Sequence, residues 1–229
     1  MAGSKAGPVT SDPVRKAVRE AGARAPGRPR ADRPELRPHL LTAAVTCFAR
    51  HGIAATSLRA IAAEAGVSPA MLHYYFGDKP QLVQAVIAER VEPAFQELRL
   101  RLGPSDDVAA LVAAFVVGIG EVVARNPWLP PLWVREVLCE GGALRNLLFE
   151  RIAPQLPLML AQRFAQAQAA GRLNPLLDPR LLVVSLVGLT LFPAAGAPIW
   201  RRMFDAQELD SDALRDHTIA LLDSGIGAG

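Results

Sequence analysis

The sequence lacks the patterns of a β-rich fold, of a disulfide framework and of a common catalytic site. Stretches that alternate polar and apolar residues are scarce, so strands are not favoured. No nucleophile elbow, metal-binding motif or phosphate-cradling glycine loop occurs, and the four histidines are scattered. We therefore expect no enzymatic activity, no cofactor and no metal.

Cysteine is nearly absent, with two residues in 229. Cys47 and Cys139 stand far apart, each inside an apolar run, and we interpret both as reduced core residues of a cytoplasmic protein. Cys47 and His51 are four residues apart and could share a metal ion, but two ligands without a third seldom form a site. Cysteine usage therefore indicates no special chemistry.

Aromatic residues are also few, at 6%, whereas 51% of the residues are hydrophobic. Alanine and leucine dominate the composition, and both favour helices. A chain of 229 residues allows one or two domains with a sizeable core. The sequence therefore predicts an all-α fold.

The net charge of +3 is unevenly distributed along the chain. Residues 1–33 contain eight Lys or Arg against three Asp or Glu, a net of +5, so the remaining residues carry −2. With Gly, Pro, Ala and Ser between its charges, this basic tail is predicted to be disordered. Its residues 27–30, GRPR, could lie in a DNA minor groove or could simply be solvated. A targeting peptide is less well supported, because no apolar stretch of the needed length follows.

Residues 56–82, TSLRAIAAEAGVSPAMLHYYFGDKPQL, have the pattern of two short helices joined by a tight turn. A hydroxyl of Thr56 or Ser57 can cap the first helix. Gly66 suits the end of that helix, because glycine readily adopts a left-handed backbone. This is the layout of a helix-turn-helix, whose second helix lies in the major groove of DNA.

The second helix of this segment is aromatic and partly basic. Ser68 can cap it, and Pro69 suits its first turn, where a missing N–H costs nothing. Three- and four-residue spacing divides the other side chains between two faces. Those facing inward are Leu72, Tyr75 and Phe76, and those facing outward are Met71, His73 and Tyr74.

A further helix start follows at once. Asp78 and Gln81 resemble a capping box, and Lys79 lies in the first turn beside N–H groups that suit a DNA phosphate. The apolar spacing then predicts one continuous helix through residues 82–98. Another helix is expected from about residue 106 to 125.

These residues resemble the DNA-binding domain of the TetR (tetracycline-repressor) family of bacterial transcriptional regulators. The shared positions, in the family's order and spacing, are Thr56, Ile61, Ala62, Ala65, Gly66, Val67, Ser68, Leu72, Phe76, Lys79 and Leu82. Upstream, residues 34–51 have about the length of the family's first helix. The resemblance implies a helix-turn-helix domain at residues 34–82 and a larger helical domain for ligand binding and dimerisation at residues 83–224.

The resemblance and the outward-facing pattern together lead to a set of expected DNA contacts. Ser57, Arg59, Ser68, His73 and Lys79 are expected to meet phosphates, Pro69, Met71 and Tyr74 to meet base edges, and Thr56 joins the set through the family motif. The family most often has a tyrosine where this chain has His73. A histidine can still donate to a phosphate, with a strength that depends on pH.

The most apolar stretch, residues 181–200, carries no charge. Its length alone would permit a transmembrane helix. Pro193 and Pro198 argue against one, because they would shorten the continuous helix to about twelve residues. In the family that the chain resembles, the last two long helices of two subunits form a four-helix dimer interface. Here these helices would be residues 179–192 and 208–223.

The resemblance also implies a small-molecule pocket between the helices of the larger domain. The large side chains expected to line it are Phe115, Trp128, Trp133, Met159, Phe164 and Phe192. Each of them could instead be ordinary core packing. The scarcity of charge in the apolar stretches indicates an uncharged or hydrophobic effector.

We therefore expect a ligand-responsive repressor that binds a roughly palindromic operator as a homodimer, in the cytoplasm and without a membrane. Ligand binding would favour a subunit spacing that no longer matches two successive major grooves. The alternative is a helical small-molecule-binding module whose helix-turn-helix is vestigial. Salt-dependent binding to promoter DNA distinguishes the two.

Overall fold

The computed structural model describes residues 1, 3, 35–104, 107–147, 150 and 155–226. The chain divides after Arg33, and the described helices belong to the second unit, Pro34–Gly229. The predicted disorder of the basic tail and the possible minor-groove arm at residues 27–30 lie outside the described residues.

The all-α prediction is confirmed, since the described part of the chain contains helices and no strand. The α-helices are α1 (Leu36–His51), α2 (Leu58–Glu64), α3 (Pro69–Phe76), α4 (Lys79–Val86), α5 (Glu92–Arg101), α6 (Val108–Arg125), α7 (Leu129–Trp133), α8 (Arg145–Leu147), α9 (Leu156–Ala169), α10 (Pro179–Met203) and α11 (Ser211–Ile226). Two π turns continue these helices: Ile87–Val91 joins α4 to α5, and Val134–Leu138 extends α7.

Helices α1 to α4 enclose one hydrophobic core. Leu40, Leu41 and Phe48 of α1 are fully buried there together with Ile61 of α2 and Leu72 of α3. Burying a side chain of this size contributes about 1.5–3 kcal/mol to the stability of the fold. This shared burial holds the second and third helices against the first.

The first core extends past residue 82, where the sequence placed the domain boundary. Ile87 and Val91 of the π turn after α4 are buried in it, as are Leu132 of α7 and Val137. The larger helical domain therefore packs directly against the helix-turn-helix. The boundary itself stays a prediction.

A second core lies within the larger domain, between α5, α6, α9 and α10. Leu98, Phe115, Phe164 and Leu186, one from each helix, are buried in it. Helix α11 packs mainly against α6. One face of α10 stays outside this core, because side chains such as that of Val184 are largely exposed.

The helix predicted through residues 82–98 continues as expected but contains the π turn Ile87–Val91. The N–H of Glu92 donates to the carbonyl of Ile87, one residue further back than in an α-helix. Pro93 explains the wider turn, because it has no N–H and its ring crowds the carbonyl four residues before it. The chain accommodates the proline without ending the helix.

The expectation that prolines cut the apolar segment to a short helix is wrong. Helix α10 is a single helix of 25 residues with Pro193 and Pro198 inside it. The indole Nε1–H of Trp200 donates to the Pro193 carbonyl at 2.8 Å. A proline inside a helix costs about 3 kcal/mol, and the packing of α10 against α6, α7, α9 and α11 offsets that loss.

Among the described helices, α6 and α10 are long and apolar enough to cross a membrane by length and composition alone. Core helices of soluble proteins pass the same test. Helix α6 lies in the second core, where its Leu111, Phe115 and Ile119 are buried. The prolines of α10 do not exclude a span, so the absence of a membrane stays a prediction.

The two cysteines differ in burial, which corrects the expectation for Cys139. Cys47 is buried in the first core, and this burial raises the pKa of its thiol. Cys139 is exposed, because the π turn ends at Leu138 and the backbone becomes extended there. Among the described residues, no group of three or more His, Cys, Asp or Glu side chains is placed to hold a metal ion.

Substitutions at two glycines measure the effect of backbone strain without a change in side-chain packing. Gly66 has a φ of +66°, and Gly120 lies inside α6; a Cβ on either would meet no atom within 4 Å. Gly66→Ala should lower the free energy of unfolding by about 1–2 kcal/mol, because an L-residue is strained at positive φ. Gly120→Ala should raise it by about 0.5–1 kcal/mol through helix propensity. Denaturant titration measures the free energy of unfolding of both variants. A change of the same sign in the two variants would contradict the assignment of strain to Gly66.

Candidate nucleic-acid interface

Backbone hydrogen bonds around a left-handed glycine build the turn between α2 and α3. Gly66 has positive φ, and the N–H of Val67 donates back to the carbonyl of Ala62 at 2.9 Å, which closes a Schellman motif. The imidazole Nε2 of His39 on α1 bonds the carbonyl of Ala65 at 3.0 Å. The turn is therefore tied to α1, which holds α2 and α3 in one arrangement.

Arg37 of α1 contacts the buried side of α3. Its Nη1 donates to the Tyr75 carbonyl at 3.2 Å, and its guanidinium lies 4.6 Å from the centre of the Phe76 ring. It also bonds both carboxylate oxygens of Glu89, and this pairing raises the pKa of the guanidinium. Leu72 and Phe76 are buried on the same side of the helix. The opposite side of α3 is left free.

The free side of α3 is an exposed stripe formed by Pro69, Ala70, His73 and Tyr74. These residues are neighbours on the helix surface because they are three or four positions apart. The ring of Tyr74 is 67% exposed and stands edge-on to that of Tyr75, with centroids 5.4 Å apart and planes at 86°. Sequence reasoning missed Ala70, which the four-residue spacing to Tyr74 could have revealed. Its small side chain permits close approach to a base edge or a thymine methyl.

His73 makes a hydrogen bond that decides how it can meet a phosphate. Its Nδ1 lies 2.6 Å from the carbonyl of Gly77. A carbonyl can only accept, so Nδ1 carries the hydrogen. In the neutral ring Nε2 is then an acceptor, and only the imidazolium form offers a second N–H to a phosphate oxygen. The expected phosphate contact of His73 therefore requires the protonated ring.

The start of α4 lies next to the turn before α2. The backbone N–H of Gln81 donates to Asp78 Oδ1 at 2.8 Å, which caps the helix as the sequence predicted. The Lys79 ammonium donates to the carbonyl of Ala54 at 2.9 Å. An ammonium has three N–H donors, so this bond leaves two for a phosphate.

One expected DNA contact is corrected by its burial. Thr56 is only 2% exposed, and its hydroxyl donates to the Gly52 carbonyl at 2.6 Å, so it stabilises the turn before α2 and offers no surface to a duplex. Ser57 accepts the capping bond from Ala60 N–H at 3.1 Å. Met71 is half-buried, as is Lys79. The exposed residues of the set are Ser57, Arg59, Ser68, Pro69, His73 and Tyr74. Their contacts with DNA stay predictions.

The larger domain contains an apolar cavity of about 130 Å³ between α5, α6, α7, α9 and α10. Of the six side chains expected to line a pocket, Phe115 and Trp133 do so. Trp128, Met159 and Phe164 pack in or against the cores, outside the lining of this cavity. Other lining residues that sequence reasoning missed are Phe95, Leu160, Val187 and Thr190. Their apolar spacing does not distinguish a cavity wall from ordinary packing.

Phe192 is a correction, because it does not face the cavity. Its side chain is 69% exposed on the outer face of α10. The helix continues through Pro193 and keeps its period, which places Phe192 on the same side as Leu181, Val184 and Ile199.

A buried carboxylate connects the cavity region with the helix-turn-helix. Glu136, in the π turn that follows Trp133, is 5% exposed. Its Oε1 accepts from the N–H of Ile53 at 2.8 Å, and its Oε2 accepts from the N–H of Ala143 at 3.0 Å. Ile53 lies in the turn between α1 and α2. Gly52 provides the space for this contact, because a Cβ there would lie 3.1 Å from Glu136 Oε1.

Comparisons with known proteins agree with the helix-turn-helix geometry. Residues 40–86 match the sequence model of the family described as bacterial regulatory proteins, tetR family. The HTH-type transcriptional regulator BetI of Brucella anthropi is 34% identical over 84 residues, which cover 35% of this chain and 43% of the relative. Residues 40–86 therefore have the sequence of a TetR-family DNA-binding domain. The matched relative is a transcriptional regulator by name, which agrees with the expectation of no enzymatic activity.

A second curated relative matches over the same part. The HTH-type nicotine-responsive transcriptional repressor HdnoR of Paenarthrobacter nicotinovorans is 36% identical over 75 residues, or 33% of this chain and 39% of the relative. The chain thus aligns with less than half the length of the curated relatives that it matches.

Solved structures resemble the fold over most of the chain. The ketosteroid transcriptional regulator KstR2 of Mycobacterium tuberculosis has a TM-score of 0.68 at 19% identity, covering 87% of this chain and 99% of that protein. A fatty acid metabolism regulator of Clostridium perfringens has a TM-score of 0.65 at 19% identity, with coverages of 81% and 97%. At these identities the likeness establishes the fold and nothing further.

Tyr74→Ala tests the exposed stripe on α3. The variant should keep the wild-type free energy of unfolding within about 0.5 kcal/mol, because the side chain is exposed. It should lose about 1–3 kcal/mol of preference for the operator over an unrelated duplex, the usual value of one good base contact. Fluorescence anisotropy with both duplexes measures the preference.

Leu100→Ala, which removes an exposed side chain near the end of α5, is the control and should change neither quantity. Full operator preference in Tyr74→Ala would show that Tyr74 does not read bases.

Proposed function

We propose that this chain is a TetR-family, ligand-responsive transcriptional repressor that binds a palindromic operator as a homodimer. The exposed stripe on α3 carries this proposal, because Pro69, Ala70, His73 and Tyr74 are free on the helix that a helix-turn-helix inserts into the major groove. Ser57, Arg59 and Lys79 would contact the phosphates on either side. Operator binding of this kind would take place in the cytoplasm.

An exposed apolar stripe on α10 supports the homodimer. Large hydrophobic side chains recur on it at three- to eight-residue steps, and each is more than 60% exposed; they are Leu181, Val184, Phe192, Ile199 and Met203. An apolar surface of this length on a water-soluble protein marks an interaction site. A two-fold axis through α10 and α11 would bring two copies of the stripe together. Two α3 helices could then enter grooves one DNA turn apart.

The decisive experiment is binding of the purified chain to the DNA that flanks its own gene, measured as a function of salt. A repressor should bind a two-fold symmetric site with two chains per site, and its affinity should fall steeply with salt because phosphate contacts release counterions. Binding only to small molecules, with no salt-dependent DNA binding, would instead favour the alternative of a ligand-binding module with a vestigial helix-turn-helix.

Val184→Arg tests the dimer within the same assay. Val184 lies near the first end of the exposed stripe, so an arginine there would be buried in the dimer interface without a partner charge. We expect a folded monomer by analytical ultracentrifugation and at least a tenfold loss of operator affinity. Leu158→Arg changes an equally exposed side chain on α9, outside the stripe, and should leave a dimer. A dimeric Val184→Arg protein would place the interface elsewhere.

The effector would occupy the cavity of the larger domain. The relatives include a nicotine-responsive repressor by name, which supports a small organic molecule. The cavity wall includes Trp133, and three residues later Glu136 bonds Ile53 beside the helix-turn-helix. Movement of the π turn on ligand binding would therefore act on the turn before α2. A ligand can shift DNA binding only as far as its affinities for the DNA-binding and the non-binding arrangement of the protein differ.

Glu136→Gln tests this connection. A carboxamide has one acceptor oxygen, so it cannot satisfy both backbone N–H groups, and a buried unpaired N–H costs about 1–3 kcal/mol. We expect the free energy of unfolding to fall by that amount and the amide hydrogen of Ile53 or Ala143 to exchange faster with solvent. Glu140→Gln alters an exposed carboxylate nearby and serves as the control. Unchanged exchange at both amides would mean that the carboxylate does not tie the two regions in solution.

A further inference from the structure

The imidazole of His73 is exposed on the stripe of α3 that the proposed function directs towards DNA. Its Nδ1 lies 2.6 Å from the carbonyl oxygen of Gly77, the residue that follows the helix. That carbonyl can only accept, so Nδ1 keeps its hydrogen in both the neutral and the charged ring. The other ring nitrogen, Nε2, forms no hydrogen bond within the described part of the chain. Nε2 is therefore the nitrogen that the ring can offer to a duplex.

Protonation changes what Nε2 can do. In the neutral ring it holds a lone pair, which the oxygens of a phosphate repel. In the imidazolium ring it carries a hydrogen and can donate a charge-assisted bond to the same oxygens. A hydrogen bond to a charged group changes affinity by about ten- to hundredfold. A phosphate near Nε2 would therefore bind the charged ring far more tightly than the neutral one.

The other expected phosphate contacts do not change charge near neutral pH. They are Ser57, Arg59, Ser68 and Lys79. Lysine and arginine stay charged, and serine stays neutral, over the range in which histidine gains or loses its proton. Within the expected set, His73 is thus the one residue through which pH can act on a phosphate contact.

The helices around α3 provide no charged partner that would fix the protonation state of the imidazole. The charged and titratable side chains of α1, α2 and the start of α4 are Arg37, His39, Cys47, Arg50, His51, Arg59, Glu64, Asp78 and Lys79. Among the described residues, none of them forms an ion pair or hydrogen bond with His73: Arg37 pairs with Glu89, for example, and Arg50 with Glu64. Asp78 and Lys79, the nearest of them along the chain, have opposite charges. The phosphates of a bound duplex would therefore be the dominant charge at this ring.

The geometry points to a proton as a co-ligand of the operator: we propose that binding takes up one proton per subunit from the buffer at His73 and that the imidazolium Nε2–H donates to a phosphate oxygen. This inference rests on the proposed function and adds regulation by pH to it. Because the complex favours the charged ring, the pKa of that ring is higher in the complex than in the free chain. Operator affinity is therefore highest below the pKa of the free ring and declines as the pH rises to that of the complex.

Operator affinity as a function of pH, at one salt concentration, tests the proposal on the full chain. The wild-type Kd should be at least about tenfold lower at about pH 5.5 than at about pH 8.5. His73→Tyr replaces the titrating donor by a hydroxyl that keeps its hydrogen over this range, so its Kd should change by less than about twofold. His51→Gln removes another exposed histidine of the helix-turn-helix domain and should keep the wild-type dependence.

NMR of the histidine ring nitrogens measures the protonation state of the wild-type chain directly. In the free chain at high pH, Nδ1 of His73 should carry hydrogen and Nε2 should not. In the operator complex, both nitrogens should carry hydrogen at a pH at which the free ring is neutral. The signals of His73 are those that the spectrum of His73→Tyr lacks. If that variant fails to fold, sequential assignment of the wild-type spectrum identifies them.

Several results would overturn the proposal. These are a free neutral ring with its hydrogen on Nε2, a wild-type Kd that does not change with pH, an equal pH dependence in His73→Tyr, or a ring whose protonation is the same with and without operator. Tighter binding at high pH would also overturn it and would indicate that Nε2 accepts from a base amino group instead.

Failure of this inference and failure of the proposed function give different results. Salt-dependent operator binding that ignores pH would remove only the role of the proton. Absence of salt-dependent operator binding at every pH would contradict the repressor function itself.

Discussion

The fold depends on one constraint: its shortest helices are stable only when they pack against other helices. Helices α2 and α3 have seven and eight residues, and isolated helices of that length are not stable in water. Ile61 and Leu72 stabilise these helices by packing against α1, whose Phe48 is buried in the same core. The side of α3 that faces away from α1 is consequently the side available for the proposed DNA contacts. The interface is thus defined by what the core requires.

The same constraint extends into the larger domain. The first core is completed by side chains from α7 and the π turn that follows it, so the helix-turn-helix does not end at its own last helix. Polar contacts of two kinds reinforce the junctions. Arg37 joins α1 to α3 and to the π turn after α4, and Glu136 joins the turn between α1 and α2 to the π turn after α7. Both π turns are therefore located where the larger domain meets the helix-turn-helix. Wider helical turns are uncommon and occur often at functional positions.

The helix-turn-helix was predictable because its signals are local. Caps at Ser57 and Asp78, the left-handed Gly66 and the three- and four-residue apolar spacing each depend on a few consecutive residues, and each appears in the structure as expected. The errors fall where long-range packing overrides a local rule. Thr56 has a typical contact residue's chemistry but is buried under the turn, and Pro193 does not end α10 because four neighbouring helices hold it. The prediction that Phe192 lines the pocket rested on the size of its side chain alone. Size carries no information about the side of the helix that faces the cavity.

The amino-acid sequence by itself determined the helical class, the position of the helix-turn-helix and most of the residues that lie on its outer side, because periodicity and capping act over one or two helical turns. Only the tertiary structure decided which aromatic residues line the cavity, that the Trp133 N–H has no acceptor among the described residues, and that Glu136 reaches Ile53 across 83 positions of the chain. Such relations depend on how helices far apart in sequence come together. A single sequence contains no local signal for them, since an apolar residue in a cavity wall and one in a packed core satisfy the same pattern.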